Sequence, residues 1–326
     1  MATTLDQLIA SPDQYFYAFD GDQAVFVPMD RAAYRRSIFL DQRISLAAEG
    51  TTKVPIAALV AQGLSAAPTG WIFHLAHCGS TLLARALEAL DQNLVLREPA
   101  ALRQLGLAAD PARMRPALAL LSRRYSAQAP TLIKANVPVN FILDDIALTD
   151  PAARAVLLYC TLPDYLLAIL RSAQHRAWLR GVTGQLTGHL GDLSHLADGE
   201  LGAALWLAQM QRFAAAIARM PQARSLDAEH FFAAPAETLA AAAQLLEIPA
   251  DKAAIGEIVS GALFSTYSKN PALAFDNAAR LARRRVLEVE LGPELARAQL
   301  WIARTAPDIS VTMAVITAAK LTVSVP

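Results

Sequence analysis

Residues 73–87 read FHLAHCGSTLLARAL. An apolar, strand-like entry stops at His77-Cys78-Gly79-Ser80-Thr81-Leu82, and a helix-like repeat follows. A turn that leads into a helix start offers backbone N–H groups with no intrahelical partner, at the positive end of the helix dipole. Gly79 permits a positive φ or close approach of a ligand to the backbone, and Ser80 and Thr81 add hydroxyl donors. Anion binding is the chemistry this allows; the plain alternative is a strand-to-helix connection with Ser80 or Thr81 as N-cap. The commonest phosphate-holding turn, G-x-x-x-x-G-K-[ST], is absent: Gly79 is followed directly by Ser80, and His74 stands where the first glycine would be. A site that hydrolyses ATP or GTP through Mg²⁺ is therefore disfavoured.

Two further positions could do chemistry. Glu98, in NLVLREP, is a candidate general base if partial burial raises its pKa. Lys134, in TLIKANVP, offers a cation at a strand end. The plain alternatives are an Arg97–Glu98 ion pair and a lysine whose stem lies along apolar surface. Six histidines and two cysteines show no metal-ligand spacing, and His175, His189 and His195 read as helical-surface or core residues. No G-x-S-x-G elbow accompanies any serine. Trp178, Trp206 and Trp301 fall in helical apolar patterns and read as core.

The elements that must position these residues follow from periodicity. Phe16 to Met29 alternates around an Asp-Gly turn and predicts a hairpin. Trp71–Ala76, Asn93–Pro99, Thr131–Pro138 and Arg154–Cys160 are short apolar runs of buried-strand type, with a last short strand expected within 223–231. Leu82, Leu83, Ala86, Leu87 and Leu90 recur at helical spacing, and Pro163 to Met220 reads almost wholly as helix. Strands alternating with helices predict an α/β fold whose parallel sheet is covered on both faces, with ligands beyond the carboxyl ends of the strands. His77 to Thr81, Arg97-Glu98 and Lys134 to Asn136 all fall at such ends. The expected organisation is an N-terminal hairpin and polar segment over 1–66, an α/β domain over 67–275 with a helical insert at 172–220, and a C-terminal helix and tail over 276–326.

Composition narrows the partners. The 326 residues are 54% hydrophobic and 18% charged, enough for a large core. Lys+Arg and Asp+Glu balance at 29 each, so the chain lacks the basic excess of a protein that tracks DNA or RNA. Anion recognition must be local, which points to a small phosphorylated ligand. No uncharged apolar run reaches the roughly 18–20 residues that span a bilayer. The nearest, Ile309 to Ala319, is closed by Lys320 and predicts a terminal strand or helix. The N-terminal stretch lacks the basic start and apolar block of a secretory signal, and two cysteines indicate no disulfide framework. The expected location is cytoplasmic.

Ala76-His77-Cys78-Gly79-Ser80-Thr81-Leu82-Leu83 resembles the signature loop of sulfotransferases that use 3′-phosphoadenosine 5′-phosphosulfate (PAPS), roughly Pro-Lys/Arg-Ser-Gly-[ST]-Thr before an apolar helix. The Gly-Ser-Thr-Leu-Leu core matches the bacterial branch. His77 stands at the Lys/Arg position, where a protonated or hydrogen-bonding imidazole would substitute. Leu132 to Pro138 is similar to the family's Ile-Lys-Thr-His-Leu-Pro strand, with Asn136 at the histidine position. The resemblance spans residues 70–270 and implies a P-loop-type three-layer α/β/α fold. It also implies PAPS as donor, 3′,5′-bisphosphoadenosine (PAP) as product, no metal, and a small-molecule hydroxyl or amine acceptor. It places residues 77–82 on the 5′-phosphosulfate and Lys134 on the bridging oxygen, with Glu98 as base in place of the absent histidine. Thr161 and Ile169 do not match the family's 3′-phosphate residues. Arg171 and Ser172, together with Ser268 and Lys269 in FSTYSKNP, are the expected replacements. Glu229 and Pro235 read as scaffold, and Arg280, Arg283, Arg284 and Arg285 as a solvated helix face. Residues outside 70–270 are expected to form a lid or select the acceptor. A kinase-like P-loop transferase with Asp164 as its acid, and a non-catalytic binding module, stand as alternatives.

Overall fold

A computed structural model describes residues 4–90 and 93–322; the extreme ends of the expected 1–66 and 276–326 segments lie outside these. The N-terminal sheet is antiparallel, with β1 (Gln14–Asp20), β2 (Gln23–Pro28) and β3 (Thr52–Pro55) in that spatial order. β1 and β2 are the expected hairpin; β3 comes from the polar stretch, where the sequence carries no strand signal. The central sheet holds β4 (Thr69–His74), β5 (Leu94–Arg97), β6 (Thr131–Lys134), β7 (Arg154–Tyr159) and β8 (Ala223–Asp227). Its order is β5-β6-β4-β7-β8 and every pairing is parallel. β4, β5 and β6 are buried along their whole length, because helices cover both faces. The α/β class read from the sequence is the one observed.

The strand order puts the functional segment at the sheet's reversal point. From β4 the chain moves to one side for β5 and β6, then crosses back to β7 on the other side of β4. The carboxyl end of β4 is therefore the switch point of the sheet, the usual ligand position in such folds. The loop after β4 runs into the helix Ser80–Leu90. The stretch after β7 is helical as expected, as Leu162–Leu170, Ala173–Gln185, Thr187–Leu190 and Asp198–Arg219. FSTYSKNP, read as a loop, lies in a small hairpin of β9 (Thr266–Tyr267) and β10 (Asn270–Ala274) with Ser268 and Lys269 at its tip. Helices Asn277–Glu290, Gly292–Thr305 and Ile309–Ala318 follow. The chain then returns beside β8, where Ser225 N–H donates to Ala319 O (2.9 Å) and Leu321 N–H to Ser225 O (2.7 Å). Among the described residues no helix is long and apolar enough to cross a membrane.

One buried arginine ties the N-terminal segment to the central sheet. Arg97, the last residue of β5, is 1% exposed. Its Nη1 meets Glu88 Oε2 at 2.7 Å, and its Nη2 donates to Tyr34 O (2.6 Å) and Ser37 O (2.7 Å). Leu40 N–H donates to Arg97 O (2.7 Å), so residues 34–40 run along the end of β5 and bring Phe39 beside Lys134. The Arg97–Glu98 ion pair, the plain alternative to a basic role for Glu98, does not form, because successive residues point to opposite sides of a strand end and Glu88 takes the guanidinium. Removing one partner of a buried ion pair leaves the other charge and several carbonyls unpaired. Arg97→Ala should therefore destabilise the protein by about 3–5 kcal/mol, read as a lower denaturation midpoint; a loss below about 1 kcal/mol would contradict this role.

Candidate active site

The loop beyond β4 is locally strained. His77 has φ 63° and Gly79 φ 90°. Among the described residues only three other than glycine have positive φ, and two of them, His77 and Glu98, lie here. Each such residue costs on the order of 1–3 kcal/mol and persists only where packing enforces it. Gly79 is required twice over, since an added Cβ would also lie 2.9 Å from Phe232 Cζ. The first amide of the helix with a backbone acceptor is Leu83, bonded to Gly79 O at 3.1 Å. Among the described residues, the amides of residues 77–82 make no bond to a backbone carbonyl. Cys78 is buried and donates to Leu75 O (2.8 Å). Burial pushes its thiol up to about 12, partly opposed by Lys134, so it latches the loop as S–H. Ser80, Thr81 and Leu82 are also buried, and Leu82 packs in the core, leaving only its amide for a ligand.

Aromatic rings flank the loop. The His77 ring lies 4.7 Å from that of His175 and meets the Trp178 ring edge-on at 5.6 Å. His175 and Trp178, read from sequence as ordinary surface or core residues, therefore belong to this site. Arg171 donates from Nε (3.1 Å) and Nη2 (2.9 Å) to His175 Nε2, which fixes the ring proton on Nδ1, 2.6 Å from Ser172 Oγ. Ser172 thus caps the helix Ala173–Gln185 and holds His175. Burial, then Lys269, His175 and Arg171, push His77 down to about 2. The protonated His77 considered from the sequence is corrected to a neutral ring, because burial disfavours its charge and cations stand nearby.

The chemistry-bearing pair sits beside the loop. Glu98 N–H donates to Lys134 O (2.7 Å) across the ends of β5 and β6. Lys134 is 0% exposed; its Nζ lies 2.5 Å from Glu98 Oε1 and 3.0 Å from His74 Nε2. His74 was missed by sequence reasoning, although a histidine inside the buried strand WIFHLA demands a partner. Its Nδ1 lies 2.7 Å from Leu75 O and its Nε2 lies 2.7 Å from Ala135 O, so both ring nitrogens face backbone carbonyls. Burial, then Lys134, push His74 down to about 3. Burial alone would raise the Glu98 pKa, but Lys134, aided by His74 and Lys269, holds it below the usual carboxylate range. The expected raised pKa is thus overturned, because the lysine is in contact with the carboxylate. Asn136 is buried with no partner for its Oδ1.

Cations gather around these groups. Lys269 Nζ and Lys134 Nζ each lie 5.6 Å from the Phe39 ring centre, and Arg43 Cζ lies 3.9 Å from it. Arg85 fixes the hairpin tip by donating to Ser268 O (2.9 Å), so Ser268 serves through its backbone. Lys269 has a lowered pKa, first from desolvation and then from Lys134. The Arg171 pKa is also lowered, first by desolvation and then by Arg283. Arg280 and Arg284 are not merely solvated: Arg280 grips Glu229 at 2.6 and 2.8 Å, and Arg284 meets Asp164 at 2.8 Å. Asp164 is therefore held by an arginine rather than open to a metal. Among the described residues, Lys269, Arg171 and Arg283 have no carboxylate within 4.0 Å, and no three acidic, His or Cys groups are placed to hold a metal.

No protein-family model matches the chain, and no curated protein matches it. Among solved structures it is similar to a sulfotransferase domain from the curacin biosynthetic pathway, at 14% identity, covering 65% of this chain and 84% of that one with a TM-score of 0.42. It is also similar to a sulfotransferase from Alicyclobacillus acidocaldarius, at 14% identity, covering 76% and 99% with a TM-score of 0.38. These structural neighbours are sulfotransferases.

A neutral buried histidine makes acid destabilising. An unfolded chain's histidine takes up a proton near 6.5, whereas His74 resists until about 3. Below pH 6.5 the unfolded state binds more protons, so stability is full above that value and falls as pH drops toward 3. The depressed Glu98 pKa adds to the same trend below its ordinary value of 4.5. Denaturation midpoints should fall between pH 6.5 and 5, and His74→Gln should reduce that slope by up to about 1.4 kcal/mol per pH unit. An unchanged slope in the variant would contradict the assignment.

Proposed function

We propose that the protein transfers a sulfuryl group from PAPS to a hydroxyl or amine of a small-molecule acceptor. The observation that carries this reading is a convergence. Loop amides without carbonyl acceptors and three cations without carboxylate partners accompany, at the carboxyl end of the sheet, a buried lysine already touching a carboxylate. The resemblance of Ala76–Leu83 and Leu132–Pro138 to the family's two segments supports the same reading.

The residues fit a donor with two anionic ends. The amides of His77 to Leu82 and the helix dipole suit the 5′-phosphosulfate, and Gly79 removes the side chain that would crowd it. His77, being neutral, contributes its amide, while Lys269 supplies the charge that a loop lysine gives elsewhere. Arg171 and Arg283 repel each other, and a 3′-phosphate between them would turn that repulsion into two charge-assisted contacts.

In the transfer, a bond forms between the acceptor oxygen or nitrogen and sulfur while the bond from sulfur to the bridging oxygen breaks. The bridging oxygen keeps the electron pair, and the acceptor's proton goes to Glu98. Lys134 links the two events. As its ammonium turns toward the charge developing on the leaving oxygen, Glu98 loses the partner that keeps its pKa low. Burial then raises the carboxylate's proton affinity as the proton arrives. His74 holds the ammonium within reach of both. The remainder is positioning and electrostatics.

The test is transfer of ³⁵S from labelled PAPS to pooled hydroxyl and amine compounds. Glu98→Gln and Lys134→Ala should each lower turnover by at least about tenfold, with PAP affinity kept in Glu98→Gln. No transfer by the unaltered protein, or unchanged turnover in both variants, would contradict the proposal.

A further inference from the structure

Arg103 is the cation that neither the loop nor the ion pair uses. It lies on the helix Ala100–Leu107, which starts directly after Glu98-Pro99, and it is half-buried. Its Nη2 donates to the neutral Oε1 of Gln185, the last residue of the helix Ala173–Gln185. Among the described residues it has no carboxylate within 4.0 Å. The groups around it differ in this respect. Arg43 is held by Asp41 through two contacts, Nε–Oδ1 at 2.9 Å and Nη2–Oδ2 at 2.5 Å, with Glu98 Oε2 at 3.9 Å. Lys134 is matched by Glu98. On this rim four cations (Arg43, Arg103, Lys134, Lys269) face two carboxylates (Asp41, Glu98), leaving Arg103 and Lys269 uncompensated.

These two differ in reach. Lys269 acts electrostatically on His77 and Cys78 of the loop as well as on Glu98, so it stands between the loop and the base. Arg103 lies one turn into the helix that starts directly after Glu98-Pro99, which puts it on the side of the base, and Glu98 and Asp41 are the carboxylates that act on it. Desolvation lowers its pKa, the mark of a cation held partly out of water without full compensation.

We propose that the acceptor carries an anionic group of its own, a carboxylate or phosphate near the reacting hydroxyl or amine, and that Arg103 receives it in exchange for Gln185. A planar guanidinium bound to a neutral amide oxygen exchanges readily for a bidentate, charge-assisted contact. The inference rests on the sulfotransferase reading, because that reading makes the Glu98 side the acceptor side. It also gives the site a means of selection, since a neutral alcohol would leave Arg103 with only its glutamine.

The test measures binding to the PAP-saturated full chain, so that turnover is not needed. The probes are 3-hydroxyhexanoate and 3-(4-hydroxyphenyl)propanoate, each against its own methyl ester, titrated by calorimetry. At least one acid should bind about tenfold or more tightly than its ester. Arg103→Gln should abolish that preference without altering PAP affinity, and Arg103→Lys should retain part of it, which separates charge recognition from misfolding. Acids and esters binding alike, neither class binding, or a preference that survives Arg103→Gln would overturn this inference alone. Failure of PAP itself to bind would overturn the sulfotransferase reading and this inference with it.

Discussion

The contact between Lys134 and Glu98 is the constraint around which the site is arranged. A lysine that is fully buried at the end of a central strand must find a partner or lose its charge, since desolvation of an isolated ammonium costs several kcal/mol. Glu98 reaches it only because its backbone turns left-handed, at φ 59°, immediately beyond β5. Strand alternation sends Arg97 the other way, into Glu88 and the carbonyls of residues 34–38. The two buried cations thus keep separate partners. One fastens the N-terminal segment, and the other pairs with Glu98.

The loop beyond β4 obeys the same logic. His77 and Gly79 take left-handed backbone so that the chain can leave a buried strand and enter a buried helix within five residues. The turn leaves amides without carbonyl acceptors, and their positive polarity is reinforced by Lys269 and Arg171, both of which act on His77. The histidines among these cations, His74, His77 and His175, are held neutral, which limits the mutual repulsion the fold must absorb. A doubly anionic ligand would complete the balance.

Much of this was legible in the sequence, for identifiable reasons. β4, β6 and β7 are buried on both faces, so WIFH, TLIK and RAVLLY read as unbroken apolar runs with polar residues only at their edges. The turn after β4 was visible because small residues sit between a strand period and a helix period. β3 and the β9–β10 hairpin were not visible: they are short, largely exposed and lack alternation. Spacing could not reveal that His74 meets Lys134, that Trp178 faces His77, or that Arg103 faces Glu98 without a carboxylate of its own, because those pairings are made by topology. The direction of the Glu98 shift was misread for a related cause. Burial can be inferred from a sequence, but a lysine 2.5 Å from the carboxylate cannot.

The claim on which the account rests is that this sheet edge holds a doubly anionic adenine nucleotide by backbone amides and side-chain cations, without a metal. Calorimetric titration with PAP in the presence of EDTA, set against ATP with Mg²⁺, tests it most directly. The account predicts saturable one-to-one binding of PAP that EDTA does not weaken, and much weaker binding of Mg²⁺-ATP. PAP that fails to bind in EDTA, or Mg²⁺-ATP that binds more tightly, would contradict it.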